Sequence, residues 1–435
     1  MPEVIIDNSI QEPILIMNEK TLFLHQFSFD STIVHLGASK VRYRIDINNS
    51  LKSDVIRISP FFSEKIQIPA LPFDSYVSNK ELFIGPVIGF IPSRYFYNNP
   101  QRLKERFTDY EHVKGLIYFF NKKNINFHKR IIHGYYYNPA DDVFTEGTFP
   151  LPSVLYTRVK LSKQEFVYFN HFLKGKLFNY TPFPITKDSL RKIIPLPSST
   201  LRTHLPHSIT YNGGRSIKRM LTKYSGVYVK PVNLSRGRGI HYVCNKNAGY
   251  QVYDTNGKAA YIKNTKALTA FFKRKKHKHL LVQQAIDTIF KGHRLDFRVY
   301  MQKNSEHVWQ ASAISGKVAD KRVIVTNYPY RKHIVTGEEA LSFYYSLPQS
   351  EASAKLKEAE VLCREVLTLF ERKRNFFLGD VAVDLAVDNK LKIWLLEVQV
   401  RYAADIKEPL PDDESIISKN ILPTPFHYAK SLTEF

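Results

Sequence analysis

Two apolar runs near the C-terminus each hold an acid that hydrophobic packing would not call for. The first reads "GDVAVDLAVD" (379–388) and the second "KIWLLEVQV" (392–400). Their composition and length predict a pair of strands joined by a short polar turn. Period-two alternation puts Asp384 on the face opposite Val383 and Leu385. Glu397 likewise sits inside an apolar run. A buried carboxylate is costly unless something compensates it. One such acid is ordinarily met by a nearby lysine or arginine. Two on adjacent strands, downstream of a lysine-bearing glycine loop, favour a shared cation. Mg²⁺ suits, because it takes one or two carboxylates together with nucleotide phosphates.

The rest of the chain has to house that pair. Its 435 residues suggest two to three domains, and 43% hydrophobic residues are ample for packed cores. Lys and Arg number 63 against 40 Asp and Glu, a formal net charge of +23. This favours anionic partners without choosing among them, and a solvated basic surface accounts for it equally well. Two cysteines, Cys244 and Cys363, exclude a disulfide framework and a thiolate zinc site. The N-terminus lacks the basic start and apolar run of a secretory signal. No run approaches the ~18 apolar residues of a membrane span. A cytoplasmic protein is expected.

Short alternating runs from about 20 to 70 predict a small β-rich unit with antiparallel strands. A second unit begins at "ELFIGPVIGFIPSRYF" (81–96). The spacing of Leu103, Phe107, Tyr110, Val113 and Leu116 predicts a helix over 102–124, and "FPLPSVLYTRV" (149–159) predicts a strand. Alternating elements indicate an α/β arrangement. Further on, helices are predicted at 186–194, 213–224 and 264–276, and a hairpin turns at Asn256-Gly257. Strands are predicted at 279–287 and in "RLDFRVYMQKN" and "VWQASAISGKV". Ala352, Leu356, Ala359, Cys363, Val366 and Phe370 share one face of a helix over 351–374.

A second chemical signal is "YVKPVNLSRGRGI" (228–240). Lys230 lies at the end of an apolar strand, and a loop with Gly237 and Gly239 follows. Backbone N–H groups in such a loop can cradle phosphate oxygens. It is no Walker A loop, because the lysine precedes the glycines. It is no dinucleotide fingerprint either, because no third glycine opens a helix.

In order, "LFIGPVIGFI", "FPLPSVLYTRV", "LFNYTPFPITK", "YVKPVNLSRGRGI", "LLVQQAI", "RLDFRVYMQKN", "VTNYP", "LGDVAVDLAVDNKLKIWLLEVQ" and "LPTPFHYAKSL" resemble the YheC/YheD-type, endospore-coat-associated family of the ATP-grasp superfamily. The resemblance covers about residue 80 to the C-terminus. It implies an α/β (α+β) fold: a β-rich N-terminal domain (1–78), an α/β pre-grasp domain (79–177) and an ATP-grasp domain (178–435) with its lid near 205–285. ATP and Mg²⁺ are the implied cofactors. Lys230 and Lys187 would contact phosphates, and Ser235, Arg236, Gly237 and Gly239 would belong to the lid loop. Gln283, Gln284 and Ile286 would lie on the strand that binds adenine, with Asp287 at the ribose. Asp296 and Arg298 would face the nucleotide, and Asn327 the acceptor side. Asp384, Glu397 and Gln399 would hold the metal. The implied chemistry is carboxylate–amine ligation through an acyl phosphate.

Three departures from the family pattern stand out. Gln399 replaces the usual asparagine, Leu234 a glycine of the lid, and Lys317 an arginine for which Arg322 would compensate. They keep open the alternative of a catalytically impaired ATP-binding or structural spore-coat protein. The expected partner is a small or peptide-like carboxylate substrate, with spore-coat proteins as further candidates. The basic run "KRKKHKH" (273–279) raises nucleic acid, but a solvated helix end, where cations suit the dipole, is preferred. His204 and His207 lack a third ligand nearby and read as loop residues.

Overall fold

The computed structural model describes residues 2–194, 200–234, 237–275, 277, 279–327, 330–374, 376–402 and 412–435. Four main sheets follow one another along the chain. The first has seven strands in the spatial order Glu3–Ile6, Val55–Ile58, Ile14–Met17, Ser39–Ile47, Ser31–Leu36, Glu81–Gly85, Asp74–Ser78. It is mixed rather than antiparallel. Glu3–Ile6 runs parallel to Val55–Ile58, and Ser31–Leu36 parallel to Glu81–Gly85. The run 81–96 therefore divides at Gly85-Pro86: Glu81–Gly85 closes the first sheet and Val87–Ile91 enters the second.

Val87–Ile91 is central in the second sheet, parallel to both Leu116–Phe119 and Val154–Thr157 and buried along its length. The helix expected over 102–124 does not form as one piece. A 3-10 turn (Pro100–Arg106), a short helix (Tyr110–Val113) and the strand Leu116–Phe119 take its place. The break falls at Gly115. It has φ +69°, and an added Cβ would stand 2.3 Å from the Pro86 carbonyl oxygen. The periodic residues Leu103, Phe107, Tyr110 and Val113 are nonetheless buried in one cluster with Phe90 and Tyr156. Their spacing marked a buried face, not a continuous helix.

The third sheet is a cap. Its order is Ser208–Thr210, Leu280–Gln284, Gly226–Pro231, His241–Lys246, Gly249–Tyr253, Ala259–Ile262. Two helices, Gly214–Leu221 and Thr265–Arg274, cover one face through Ile217, Met220, Leu268 and Phe272. The fourth sheet is the base: Arg331–Thr336, Trp309–Ala319, His293–Lys303, Asp380–Val387, Ile393–Gln399. The 26-residue helix Gln349–Arg374 packs beneath it, with Ala352, Cys363, Val366 and Phe370 fully buried. Asp380–Val387 is buried at every position, which is what an apolar run flanked by two long strands requires. No helix among the described residues is long and apolar enough to cross a membrane.

Candidate functional site

The cap and base sheets face each other across a cleft of about 880 Å³, open mouth included. Strand alternation decides which cap residues reach it. Val227 and Val229 turn towards the cap helices, whereas Tyr228 and Lys230 line the cleft. Val282 and Gln283 divide the same way on the neighbouring strand. The mouth is narrowed by Ile240 of the cap against Ile324 and Val325, where the Tyr228 hydroxyl donates to the Ile324 carbonyl at 3.2 Å.

On the base side the charges are tightly coupled. Register sets Arg298 opposite Asp384, and Asp384 opposite Glu397. Arg298 grips Asp384 with two hydrogen bonds, Nε to Oδ1 at 2.8 Å and an Nη to Oδ2 at 2.9 Å. Lys317 Nζ donates to Oδ1 at 2.8 Å, and Gln399 Nε2 donates to Oδ2 at 2.7 Å. Gln399 Nε2 also reaches Glu397 Oε1. Burial would raise the Asp384 pKa, but Arg298 and Lys317 hold it well below the usual carboxylate range. Burial pulls Lys317 down, and Arg298 beside it adds to that.

Further cations surround this group. Lys230 lines the cleft, and burial draws its pKa down to about 8 against the pull of Glu397. Burial lowers Lys187 too. Its ammonium reaches across to the carbonyls of Pro231 (3.3 Å) and Leu234, tying the base to the start of the cap loop. Asp296 is raised by burial, while Thr326 donates to its Oδ2 at 2.6 Å. Arg294 lines the same wall, and its buried Nε has no hydrogen-bond partner among the described residues.

Of the residues expected at the site, Lys187, Lys230, Gly237, Gln283, Gln284, Ile286, Asp296, Lys317, Asn327, Asp384 and Glu397 all line the cleft. Arg298 joins them through Asp384. Three stand elsewhere. Arg322 is exposed at a loop tip, φ +76°, with its carbonyl against Gly257. Asp287 is exposed, and its carboxylate accepts from the Ile289 N–H at 3.3 Å. Gly239 packs on Pro231 and His277. Ser235 and Arg236 lie outside the described residues. The strand expected over 279–287 is also shorter, running Leu280–Gln284. Gln284 N–H already donates to His207 and Ala285 N–H to Gly226, so the backbone leaves its ladders at Ile286. Thr288 and Arg294 line the cleft without having been singled out. Arg294 had a readable signal, since it shares the 294, 296, 298 face of one strand. His204 and His207 bond the Ile393 carbonyl and the Tyr224 hydroxyl, as loop residues would.

A metal at this site meets an uneven donor set. All four hydrogen-bonding directions of Asp384 are taken by the donors above. Among the described residues no three His, Cys, Asp or Glu side chains cluster as a metal cage. Glu397 is half-buried on the cleft wall and accepts one described bond. One carboxylate with nucleotide phosphates is an ordinary Mg²⁺ arrangement. The residues therefore fit a nucleotide-borne Mg²⁺ at Glu397, with the Gln399 amide oxygen as a neutral second ligand, and not at Asp384 as paired here.

Residues 178–432 match the YheC/D-like ATP-grasp family. The chain belongs to that family. It is similar to the endospore coat-associated protein YheD of Bacillus subtilis, 25% identical over 409 residues that span 88% of each chain. Among solved structures it resembles the D-alanine-D-alanine ligase of Coxiella burnetii, with 12% identity, TM-score 0.40, and coverage of 79% of this chain and 94% of that one. It also resembles the ATP-grasp ligase PsnB complexed with minimal precursor, with 14% identity, TM-score 0.39, and coverage of 78% and 99%.

Proposed function

We propose that this ATP-grasp protein binds Mg-ATP between cap and base and joins a carboxylate to an amine. The substrate carboxylate oxygen attacks the γ-phosphorus, ADP leaves, and an acyl phosphate forms. The amine nitrogen then attacks the acyl carbon, phosphate leaves, and the amine proton is lost to solvent. The observation that carries this reading is the cleft's cation excess. Lys187, Lys230, Arg294 and Lys317 line it against Asp296, Asp384 and Glu397, and Arg298 adds a fifth cation.

Phosphoryl transfer asks for alignment and charge neutralisation rather than covalent help. Lys230 and Lys187 are suited to the phosphates, and the buried Arg294 Nε is a donor without a partner among the described residues. Arg298 and Lys317 are held rigid by Asp384, so they lose little freedom when an anion arrives. Bound Mg²⁺ would offset charge on the phosphate oxygens. By kinship with a coat-associated relative, the substrate would be a peptide-like carboxylate of the spore coat.

A second reading has one observation in its favour. Gln399 spends its amide N–H on both carboxylates, which suits a protein that binds ATP without turnover. Thermal unfolding with Mg-ATP tests the binding. Nucleotide at 100 times Kd should stabilise by about 2.7 kcal/mol, and Lys230→Ala should remove the shift. No shift at millimolar nucleotide refutes the site. Phosphate release across amino acids and acidic peptides tests turnover, and silence with binding intact selects the second reading.

A further inference from the structure

The cap holds most of the chain's charge, and part of it lies on helices turned away from the cleft. Residues 205–285 include sixteen Lys and Arg and a single acid, Asp254, so +15 of the net +23 resides there. Asp254 is itself occupied, accepting from the N–H groups of Asn256 and Lys258 in its own turn. Arg215, Lys218 and Arg219 are exposed on the helix Gly214–Leu221, and Lys266, Lys273 and Arg274 on Thr265–Arg274. None of the six pairs with a carboxylate among the described residues. The two helices touch, with the Gly214 N–H donating to Thr269 Oγ1 at 2.7 Å, so their cations form one surface. They pack on the sheet face that carries Val227, Val229 and Val282, the face turned from the nucleotide cleft. Lys273 and Arg274, which open the basic run, thus belong to a wider basic face and not to an isolated helix end.

The geometry points to a binding surface for a nucleic-acid phosphate backbone on these two helices, read by charge and not by base sequence. The alternatives fit the surface less well. Protein interfaces are depleted in lysine and need an apolar centre. In the cap, Tyr261 is the only strongly exposed large apolar side chain among the described residues. An inserting membrane surface would need such side chains as well. A fixed array of unpaired Lys and Arg on rigid helices is the footprint that releases counterions from a polyphosphate. This site is separate from the proposed ligase cleft and does not depend on it.

The test is fluorescence anisotropy of the full chain with a labelled 20-base-pair duplex and a 20-nucleotide single strand. Binding of either should weaken about 100- to 2000-fold from 50 to 200 mM salt, the slope for about four to six phosphates. The variant K218E/R219E/K266E/K273E should lose binding at least about 100-fold and keep its thermal shift with Mg-ATP. The variant K218Q/R219Q, which removes charge without reversing it, should lower the salt slope by about two. Three results would overturn the proposal: no binding at 50 mM salt, undiminished binding by both variants, or tighter binding to polyglutamate or phosphatidylserine vesicles. Competition by 1 mM ATP would place the nucleic acid in the cleft and overturn it too. Loss of the ATP shift in the unaltered protein bears only on the ligase reading.

Discussion

Asp384 gathers four donors from three strands, and that arrangement makes its carboxylate a structural anion first. Removing its charge leaves Arg298 and Lys317 buried side by side. Asp384→Asn should therefore cost about 3–5 kcal/mol, the usual penalty for breaking a buried pair, seen as a lower urea midpoint. A loss under 1 kcal/mol would mean solvent already screens the group. Lys230 predicts a pH dependence. Its folded pKa of about 8 lies below the ordinary 10.5. Between these values the unfolded chain binds more protons, so the nucleotide-free protein gains stability as pH rises through that window. Nucleotide binding needs the ammonium and runs the other way. Affinity should be about tenfold weaker at pH 9 than at pH 7 by calorimetry, and Lys230→Arg should flatten the profile. The residue types of this site were legible in the sequence, because an acid in an apolar run and a lysine at a strand end are chemically anomalous. The pairing of Asp384 with Lys317 was not. It depends on the register of strands whose cross-strand contacts no local pattern encodes.

At the scale of elements, the strand His293–Lys303 organises the base. Its alternation sends Leu295, Phe297 and Val299 into the core and Arg294, Asp296 and Arg298 towards the cleft side. Among the described residues, Arg294 is the member without a compensating bond at Nε. A buried donor left unpaired costs stability until a ligand meets it. Arg294→Met should thus leave the urea midpoint unchanged or raise it, while weakening nucleotide binding about tenfold. A fall in both together would make Arg294 a packing residue. Elements with strong periodicity were readable: the helix Gln349–Arg374 and the hairpin at Asn256-Gly257 form where their patterns predict. The segment 102–124 was not. Its break rests on the close approach of Gly115 to Pro86, a contact made only once the second sheet, the middle sheet centred on Val87–Ile91, has assembled.

At the scale of the whole molecule, Asp380 joins the middle sheet to the base. It is 1% exposed and four residues upstream of Asp384. From the middle sheet it receives the Tyr156 hydroxyl at 2.5 Å and an Arg158 Nη at 2.6 Å. From the base side come Gln302 Nε2 at 2.9 Å and the Tyr402 hydroxyl at 2.5 Å. Asn179 bonds the backbone of Gly379 and Asp380 as well. Against the burial that would raise it, Arg158 and the hydroxyls keep the Asp380 pKa lowered. Asp380→Ala removes the carboxylate that accepts from Tyr156, Arg158, Gln302 and Tyr402, and a loss of about 3–5 kcal/mol is expected. The loss should fall on the coupling between units. Trp309 and Trp394, the chain's two tryptophans, both lie on base strands, so their fluorescence follows the base while circular dichroism follows every sheet. In the unaltered protein the two urea curves should coincide, and in Asp380→Ala they should separate. Coincident curves in Asp380→Ala would show that the apolar contacts of Phe426 and Tyr428 with Phe90 and Phe178 join the units without the buried charge.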